Sequence, residues 1–460
     1  MVFASPTFLF LFLPLFFLGY FLLPWKLRSA WILAGSWLFY GWWRLDILLL
    51  LVGASLGAGL LGRRIAHART PRMRRIWTRV GVVAALALLG FFKYFNFFLD
   101  SLSGLARLLV GPAARPGFGA GVPEVLLPVG ISFFTFQIIS YLIDVSRRTV
   151  PAARSLVDVS AYVSLFPQLV AGPIVRYSEI SDQLRERSIG LGDISEGIRR
   201  FGLGLVRKVL IADAVAPVAD AVYGLPAPGF LTAWLGLTAY SLQIYFDFSA
   251  YSDMAIGLGR IMGFRFPENF RQPYHSRSIQ EFWRRWHMTL SAWLRDYLYI
   301  PLGGSRLSER RTLINLMTVM LLGGLWHGAA WTFVLWGLWH GSLLIAERLL
   351  APRSLPGGRV TVLLAVMLGW VFFRAASFAE AGQLLAGLVG AGGWGIAPEL
   401  IWRLTPGRML ALLAGVLLVV AEPRIFRDGR TRPLVLLLLV VLAIARLLAA
   451  SFSPFLYFQF

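Results

Sequence analysis

No cysteine occurs among the 460 residues, which excludes disulfides, thiolate metal sites and any acyl-cysteine intermediate on this chain. Acidic residues are scarce, 23 against 44 lysines and arginines, and the lysines are only Lys26, Lys93 and Lys208. The positive charge is therefore almost wholly guanidinium, an excess that by itself implies no mechanism. The histidines are His67, His275, His287, His327 and His340, and no spacing such as HExxH joins them, so no metal site is expected. A Walker-type phosphate loop and a GxSxG elbow are both missing. No internal repeat is evident, which leaves the inverted-repeat plan of secondary transporters without support.

What the chain has in abundance is apolar sequence. Hydrophobic residues make up 57% and mean hydropathy is +0.68, beyond the roughly 45–50% apolar share of soluble domains. Charged residues amount to 15% and cluster between apolar runs, as expected when segments of about 20 residues span a hydrocarbon layer. The net charge of +21 would suit nucleic acid, but its arginines fall in short loops rather than on a soluble face. Arg63, Arg64, Arg69, Arg72, Arg74, Arg75 and Arg79 follow one another without an acidic residue, the pattern of a cytoplasmic loop under the positive-inside rule. The partner this implies is a lipid bilayer, not nucleic acid. The amino-terminal run MVFASPTFLFLFLPLFFLGYFLLP lacks a basic leader region and a clear cleavage site, so it is expected to stay as a first span.

Apolar segments lie near 7–23, 31–61, 80–99, 123–144, 157–175, 230–248, 313–347, 360–373, 407–421 and 433–450. The stretch 31–61 would be about 46 Å long as one helix, longer than a hydrocarbon core of about 30 Å, so two pieces are expected there. The hydrophilic breaks are too short to be domains. The fold class expected is all-α: a polytopic integral membrane protein with about 10–12 spanning helices plus re-entrant or interfacial helices, residues 1–460 forming a single domain. LLPVGISFFTFQIISYLIDV, SLFPQLVAGPIVRY and YFDFSAYSDMAIGLGRIMGFRFPENF mix apolar residues with Gly, Pro and polar groups. Irregular backbone at membrane depth survives only inside protein or beside a watery cavity, so these segments should surround an interior chamber.

Two segments carry chemistry. In QEFWRRWHMTLSAWLRDYLYIPLGG, residues 280–304, Phe282, Trp283, Trp286, Leu290, Trp293, Leu294 and Tyr297 recur at helical spacing. On one continuous helix, Arg284, His287, Ser291 and Arg295 form a polar stripe. An interfacial helix meeting lipid headgroups explains the arginines and leaves His287 unexplained. In LLGGLWHGAAWTFVLWGLWHG, residues 321–341, His327 and His340 sit in apolar, small-residue sequence, and an ionisable group within a spanning segment marks a functional site by default. The alternative for each is an interhelical hydrogen bond. Gly324, Gly328, Ala329 and Ala330 would give a substrate room to approach His327, whereas His340 would face away on an unbroken helix. Apolar surroundings favour the neutral imidazole, which can take a proton from a hydroxyl nucleophile, so His327 is the expected general base. Arg284 and His287 are candidates for positioning or electrostatic help. A thioester donor would need little further activation beyond an oxyanion donor. The tail SFSPFLYFQF is read as an aromatic belt, or as an arm whose Tyr457 hydroxyl carries an acyl group transiently.

These segments, together with MVFASPTFLFLFLPLFF and LFPQLVAGPIVRY, resemble the membrane-bound O-acyltransferases, and within that family the integral component of bacterial alginate and other polysaccharide O-acetylation systems. The resemblance covers most of the chain. It implies a helical fold around a tunnel, with His327 of WHG matching the central catalytic histidine and His287 of RWHM the second. It also implies acetyl-CoA as acyl donor with no bound cofactor, periplasmic acetyltransferase partner proteins, and a bacterial inner membrane location. Tyr457 matches a tail tyrosine proposed as acyl relay. IPLGG after RWHM points to the polysaccharide acetylation branch rather than the D-alanyl branch that modifies teichoic acids. Alginate is the first choice of acceptor, with cellulose and peptidoglycan as alternatives. A transporter or flippase of an acylated carrier, with the histidines as a proton relay, is the competing class.

Overall fold

A computed structural model describes residues 1–110, 123–350, 357–421 and 433–449. Every regular element among them is helical, as expected. Backbone contacts divide the chain into two compact units, Met1 with Pro14–Arg187, and Val2–Leu13 with Ser188–Phe460.

The first unit contains α1 (Leu13–Leu22), α2 (Arg28–Gly41), α3 (Leu45–Ala66), α4 (Pro71–Leu89), α5 (Phe95–Val110), α6 (Ile131–Arg147) and α7 (Leu156–Ser164). The stretch 31–61 divides as its length demands, the break falling at residues 42–44. The arginine-rich segment 63–79 is not one loop. Arg63 and Arg64 close α3, and α4 begins already at Pro71, where Thr70 caps the helix by accepting a hydrogen bond from the Met73 amide (3.2 Å), an arrangement favoured by Pro in the first helical position. The segment after α7 is wholly buried from Leu165 to Val175. There the Gln168 side chain donates to the Tyr162 carbonyl (2.7 Å) and the Ser36 hydroxyl accepts from the Phe166 amide (3.1 Å), replacing helical bonds that the backbone has given up.

The second unit contains α8 (Leu191–Arg207), α9 (Asp213–Tyr223), α10 (Phe230–Ile261), α11 (Ile279–Arg285), α12 (Met288–Leu294), α13 (Glu309–His327), α14 (Trp331–Leu350), α15 (Gly358–Arg374), α16 (Phe378–Leu388), α17 (Pro406–Val420) and α18 (Pro433–Ala449). Helices α8 and α10 approach so closely that a methyl group on Gly204 would lie 2.7 Å from the Ala250 carbonyl. Arg200 and Arg207 of α8 both pair with Asp253 of α10 (2.9 and 2.7 Å). Lys208, just beyond, is buried between Asp213 (2.6 Å) and Asp247 (2.7 Å).

By length and apolarity alone, Leu45–Ala66 and the helical stretch Pro71–Leu109 are able to cross a bilayer, and Thr7–Leu22, Pro406–Val420 and Pro433–Ala449 are apolar but shorter. Helix α10 shows why the other helices do not declare themselves. It has 32 residues, but Asp247, Asp253 and Arg260 pair with partners within the unit, which lowers its hydropathy while Asp247 stays buried and Asp253 and Arg260 are partly covered.

Candidate active site

The WHG segment is a hairpin, not one helix. Helix α13 ends at His327, the chain opens at Gly328 (φ −155, ψ 148), and α14 returns from Trp331. A methyl on Gly324 would meet the Phe333 carbonyl at 2.3 Å and one on Gly337 the Met320 carbonyl at 2.5 Å. Gly328 is covered by the Phe333 ring, 2.0 Å from where its Cβ would be. These glycines therefore serve helix packing, and the room expected beside Gly324 and Gly328 for a substrate is filled by Phe333. The same turn corrects the expectation for His340: on the returning helix it faces the aromatic cluster that holds His327. The Trp336 ring stands edge-on to both imidazoles, 5.2 Å from His327 and 4.9 Å from His340.

The RWHM segment is also broken. Helix α11 stops at Arg285, His287 takes a left-handed conformation (φ 42, ψ 53), and α12 starts at Met288. The cause is Asn269, which lies 18 positions upstream and is 1% exposed. Its carbonyl accepts the Met288 amide (2.9 Å), and its side-chain oxygen accepts the Thr289 amide (3.3 Å) and the Thr289 hydroxyl (2.9 Å). Two donors at the start of α12 are thus satisfied from outside the helix, and the break is stabilised by the cap it creates. The continuous stripe of Arg284, His287, Ser291 and Arg295 does not form. Arg284 and Arg295 are exposed, Arg295 pairing with its neighbour Asp296 (2.6 Å), while Ser291 is half-buried one turn beyond His287.

His287 itself is completely buried, and its Nδ1 lies 3.1 Å from the Asn269 side-chain oxygen. An amide N–H can only donate, so the Asn269 atom facing the Thr289 amide is an oxygen, and Nδ1 must carry the hydrogen that bonds to it. A neutral His287 then has its lone pair on Nε2, which has no hydrogen-bond partner among the described residues. Asn269 is held in turn: its NH₂ donates to the Ser252 hydroxyl (3.0 Å), and its neighbour Glu268 accepts from Arg200 of the α8–α10 network (2.7 Å). An oriented imidazole backed by a fixed acceptor is the arrangement that sets a histidine tautomer.

The structure brings His287 and His327 together, with ring centroids 6.3 Å apart. Trp326, Trp336 and Phe373 surround His327 at 5.0–5.2 Å, and it is 4% exposed. His340 is fully buried against Trp283 (5.2 Å), and neither of its ring nitrogens has a hydrogen-bond partner among the described residues. The same is true of the Trp336 indole N–H. Tyr457 lies outside the described residues. Among the described residues no group of three or more His, Cys, Asp or Glu is placed to hold a metal ion. Sequence reasoning missed Asn269 and Trp336. Asn269 had a signal, since it stands in the irregular segment ending FRFPENF, but nothing in the sequence paired it with His287.

The site is thus a buried pair of imidazoles, His287 oriented by Asn269, beside the indole rings of Trp326 and Trp336 in an all-helical unit. The chain belongs to the membrane-bound O-acyltransferase family, and it is an O-acyltransferase. A model of that family matches residues 144–354, a range that contains both histidines and Asn269. The chain is 44% identical to a protein of Azotobacter vinelandii named as a probable alginate O-acetylase, with 100% of each chain covered. It is 37% identical to the peptidoglycan O-acetyltransferase of Helicobacter pylori over 85% of this chain and 80% of that one. To the teichoic acid D-alanyltransferase of Bacillus subtilis it is 29% identical, over 53% of this chain and 66% of that one.

Proposed function

We propose that this protein passes an acetyl group from a cytoplasmic thioester, acetyl-CoA, across the bacterial inner membrane for O-acetylation of an exported polysaccharide, with alginate as the polymer. Residues 1–460 act as one multi-pass membrane domain of about 10–12 spans around a tunnel, handing the group to periplasmic acetyltransferase proteins. The similarity to a probable alginate O-acetylase over the full length of both chains favours alginate over peptidoglycan and the partial match to D-alanyl transfer.

The observation that carries the catalytic reading is the buried pair His287 and His327, 6.3 Å between centroids. An acceptor oxygen between the rings is within reach of both. His327 is the general base. The hydroxyl oxygen attacks the thioester carbonyl carbon while its proton passes to the imidazole, the C–O bond forms, the C–S bond breaks, and the departing thiolate recovers the proton. His287, held by Asn269, is a positioning group beside the acceptor that leaves the hydroxyl proton to His327, its Nε2 lone pair being available to the thiol S–H formed when the thiolate recovers the proton. The Trp336 N–H, buried without an acceptor among the described residues, is the donor offered to the developing oxyanion. Arg284, Ser291 and Arg295 keep at most a peripheral positioning role, and Tyr457 is the proposed relay on the tail.

The test is transfer of radiolabelled acetyl from acetyl-CoA by protein purified into lipid. His327→Ala should abolish transfer while leaving the melting transition in place, and free CoA should appear in step with acetyl transfer. Full activity in that variant would remove His327 from the role of base. Acetyl movement without CoA release would instead favour a carrier flippase.

A further inference from the structure

Helix α11 has two faces. One brings Phe282 and Trp283 against His340, with centroids 6.2 and 5.2 Å apart. The other faces a polar cavity of about 580 Å³ lined by His275, Arg277, Glu281, Arg285, Arg359 and the end of α17 at Val420 and Ala421. That volume is in the range of small-molecule sites, about 300–1,000 Å³.

Three guanidinium groups face one carboxylate there. Glu281 accepts the Arg277 amide (2.7 Å) and pairs with Arg285 (2.7 Å). The Arg277 amide, with Arg285 adding to it, holds its carboxyl below the usual carboxylate range, so Glu281 stays ionised and offsets one positive charge. The guanidinium groups of Arg277 and Arg359 have no ion-pair or hydrogen-bond partner among the described residues. Arg359 stands in the first turn of α15, whose free amides add positive potential. The opposing carboxyl end of α17 is partly occupied, because the His275 Nε2 bonds to the Val419 carbonyl. The sequence that follows α17 carries Arg424, Arg427, Arg430 and Arg432 against Glu422 and Asp428, which marks this end as cytoplasmic under the positive-inside rule.

We propose that this cavity binds the phosphate groups of the acyl donor, the diphosphate and 3′-phosphate of a CoA thioester. Arg277 and Arg359 supply the free charge, and α11 leads from the phosphates to the imidazoles: Arg285 lines the cavity, Trp286 follows, and His287 is the next residue. The inference rests on acetyl-CoA being the donor. It separates the site that holds the donor's charge from the site that acts on its thioester, and it explains why no nucleotide motif is visible, because the arginines come from the 271–285 segment and a distant helix start.

The experiment measures KM and kcat for acetyl-CoA, acetyl-dephospho-CoA and acetyl-pantetheine with wild-type protein and with Arg277→Ala, Arg359→Ala and the double variant, in uncharged detergent. Each single variant should raise KM for acetyl-CoA about tenfold, the worth of one charge-assisted phosphate contact. Values of kcat, and KM for acetyl-pantetheine, should be unchanged, which also shows that the variants are folded. An acetyl-CoA KM unmoved by the double variant overturns the proposal while leaving the donor reading intact. Wild-type protein that takes no acetyl from acetyl-CoA overturns the donor reading itself. A lipid phosphate is the other source of the same chemistry. If the double variant loses binding to phosphatidylglycerol vesicles and keeps its acetyl-CoA KM, the cavity is a headgroup site and the proposal is wrong.

Discussion

Replacing Asn269 with alanine tests whether an oriented His287 matters, because Asn269 touches the imidazole only at Nδ1 (3.1 Å) and would not contact a substrate at Nε2. The change removes one oxygen that accepts three hydrogen bonds, from His287, the Thr289 amide and the Thr289 hydroxyl. Even if relaxation re-satisfies most of them, one orphaned donor in a site this buried costs about 1–3 kcal/mol. The imidazole would also be free to place its hydrogen on Nε2 and to rotate. Loss of such an orienting partner lowers activity about 10–100-fold. The expected result is therefore a kcat 10–100-fold down with the acetyl-CoA KM little changed, alongside a lower melting temperature. Asn269→Asp keeps an acceptor for all three donors and should recover most of the kcat. The assay is steady-state acetyl transfer in proteoliposomes, with thermal melts on the same preparations. If Asn269→Ala keeps wild-type kcat, or if the alanine and aspartate variants are equally impaired, the tautomer argument fails.

Three further outcomes are expected. Trp336→Phe, which keeps the aromatic packing between His327 and His340 and removes the indole N–H, should lower kcat about 10²–10³-fold if that N–H meets the oxyanion, and single-turnover transfer would show no change if it does not. Arg284→Ala and Arg295→Ala, at exposed positions, should alter transfer less than about twofold and stability by less than about 0.5 kcal/mol, with larger losses in either variant restoring them to the site. Protein lacking its downstream acceptor should accumulate an acetyl ester on Tyr457 detectable by mass spectrometry, and normal polymer acetylation by Tyr457→Phe would reduce the tail to an anchor.

Much of the fold was legible because it depends on local quantities. Helix length split 31–61, and the mixture of Gly, Pro and polar residues in SLFPQLVAGPIVRY identified backbone that is irregular and buried. His327 declared itself as an ionisable group in apolar sequence. What escaped was set by contacts between segments distant in sequence. The period of Phe282, Trp283, Trp286 and Leu290 is helical and predicts one helix, but Asn269 supplies an external cap that makes a break at His287 more favourable than continuity. Likewise the small residues around His327 read as open space, whereas Phe333, from the far side of the turn, occupies it. Helical periodicity reports which residues share a face only while the helix lasts.

The left-handed backbone at His287 bears on how this protein could evolve. Glycine adopts that conformation without strain, asparagine and aspartate more readily than most residues, and other side chains at a cost of about 1–2 kcal/mol. A lineage that no longer needed acyl transfer would be released from the imidazole but not from the turn. Its neutral drift would be funnelled toward glycine or asparagine at position 287, with Asn269 retained for the cap it gives the start of α12. Under the proposed role of His287, a descendant carrying either residue there beside an unchanged Asn269 would keep the turn and lose the second imidazole of the site.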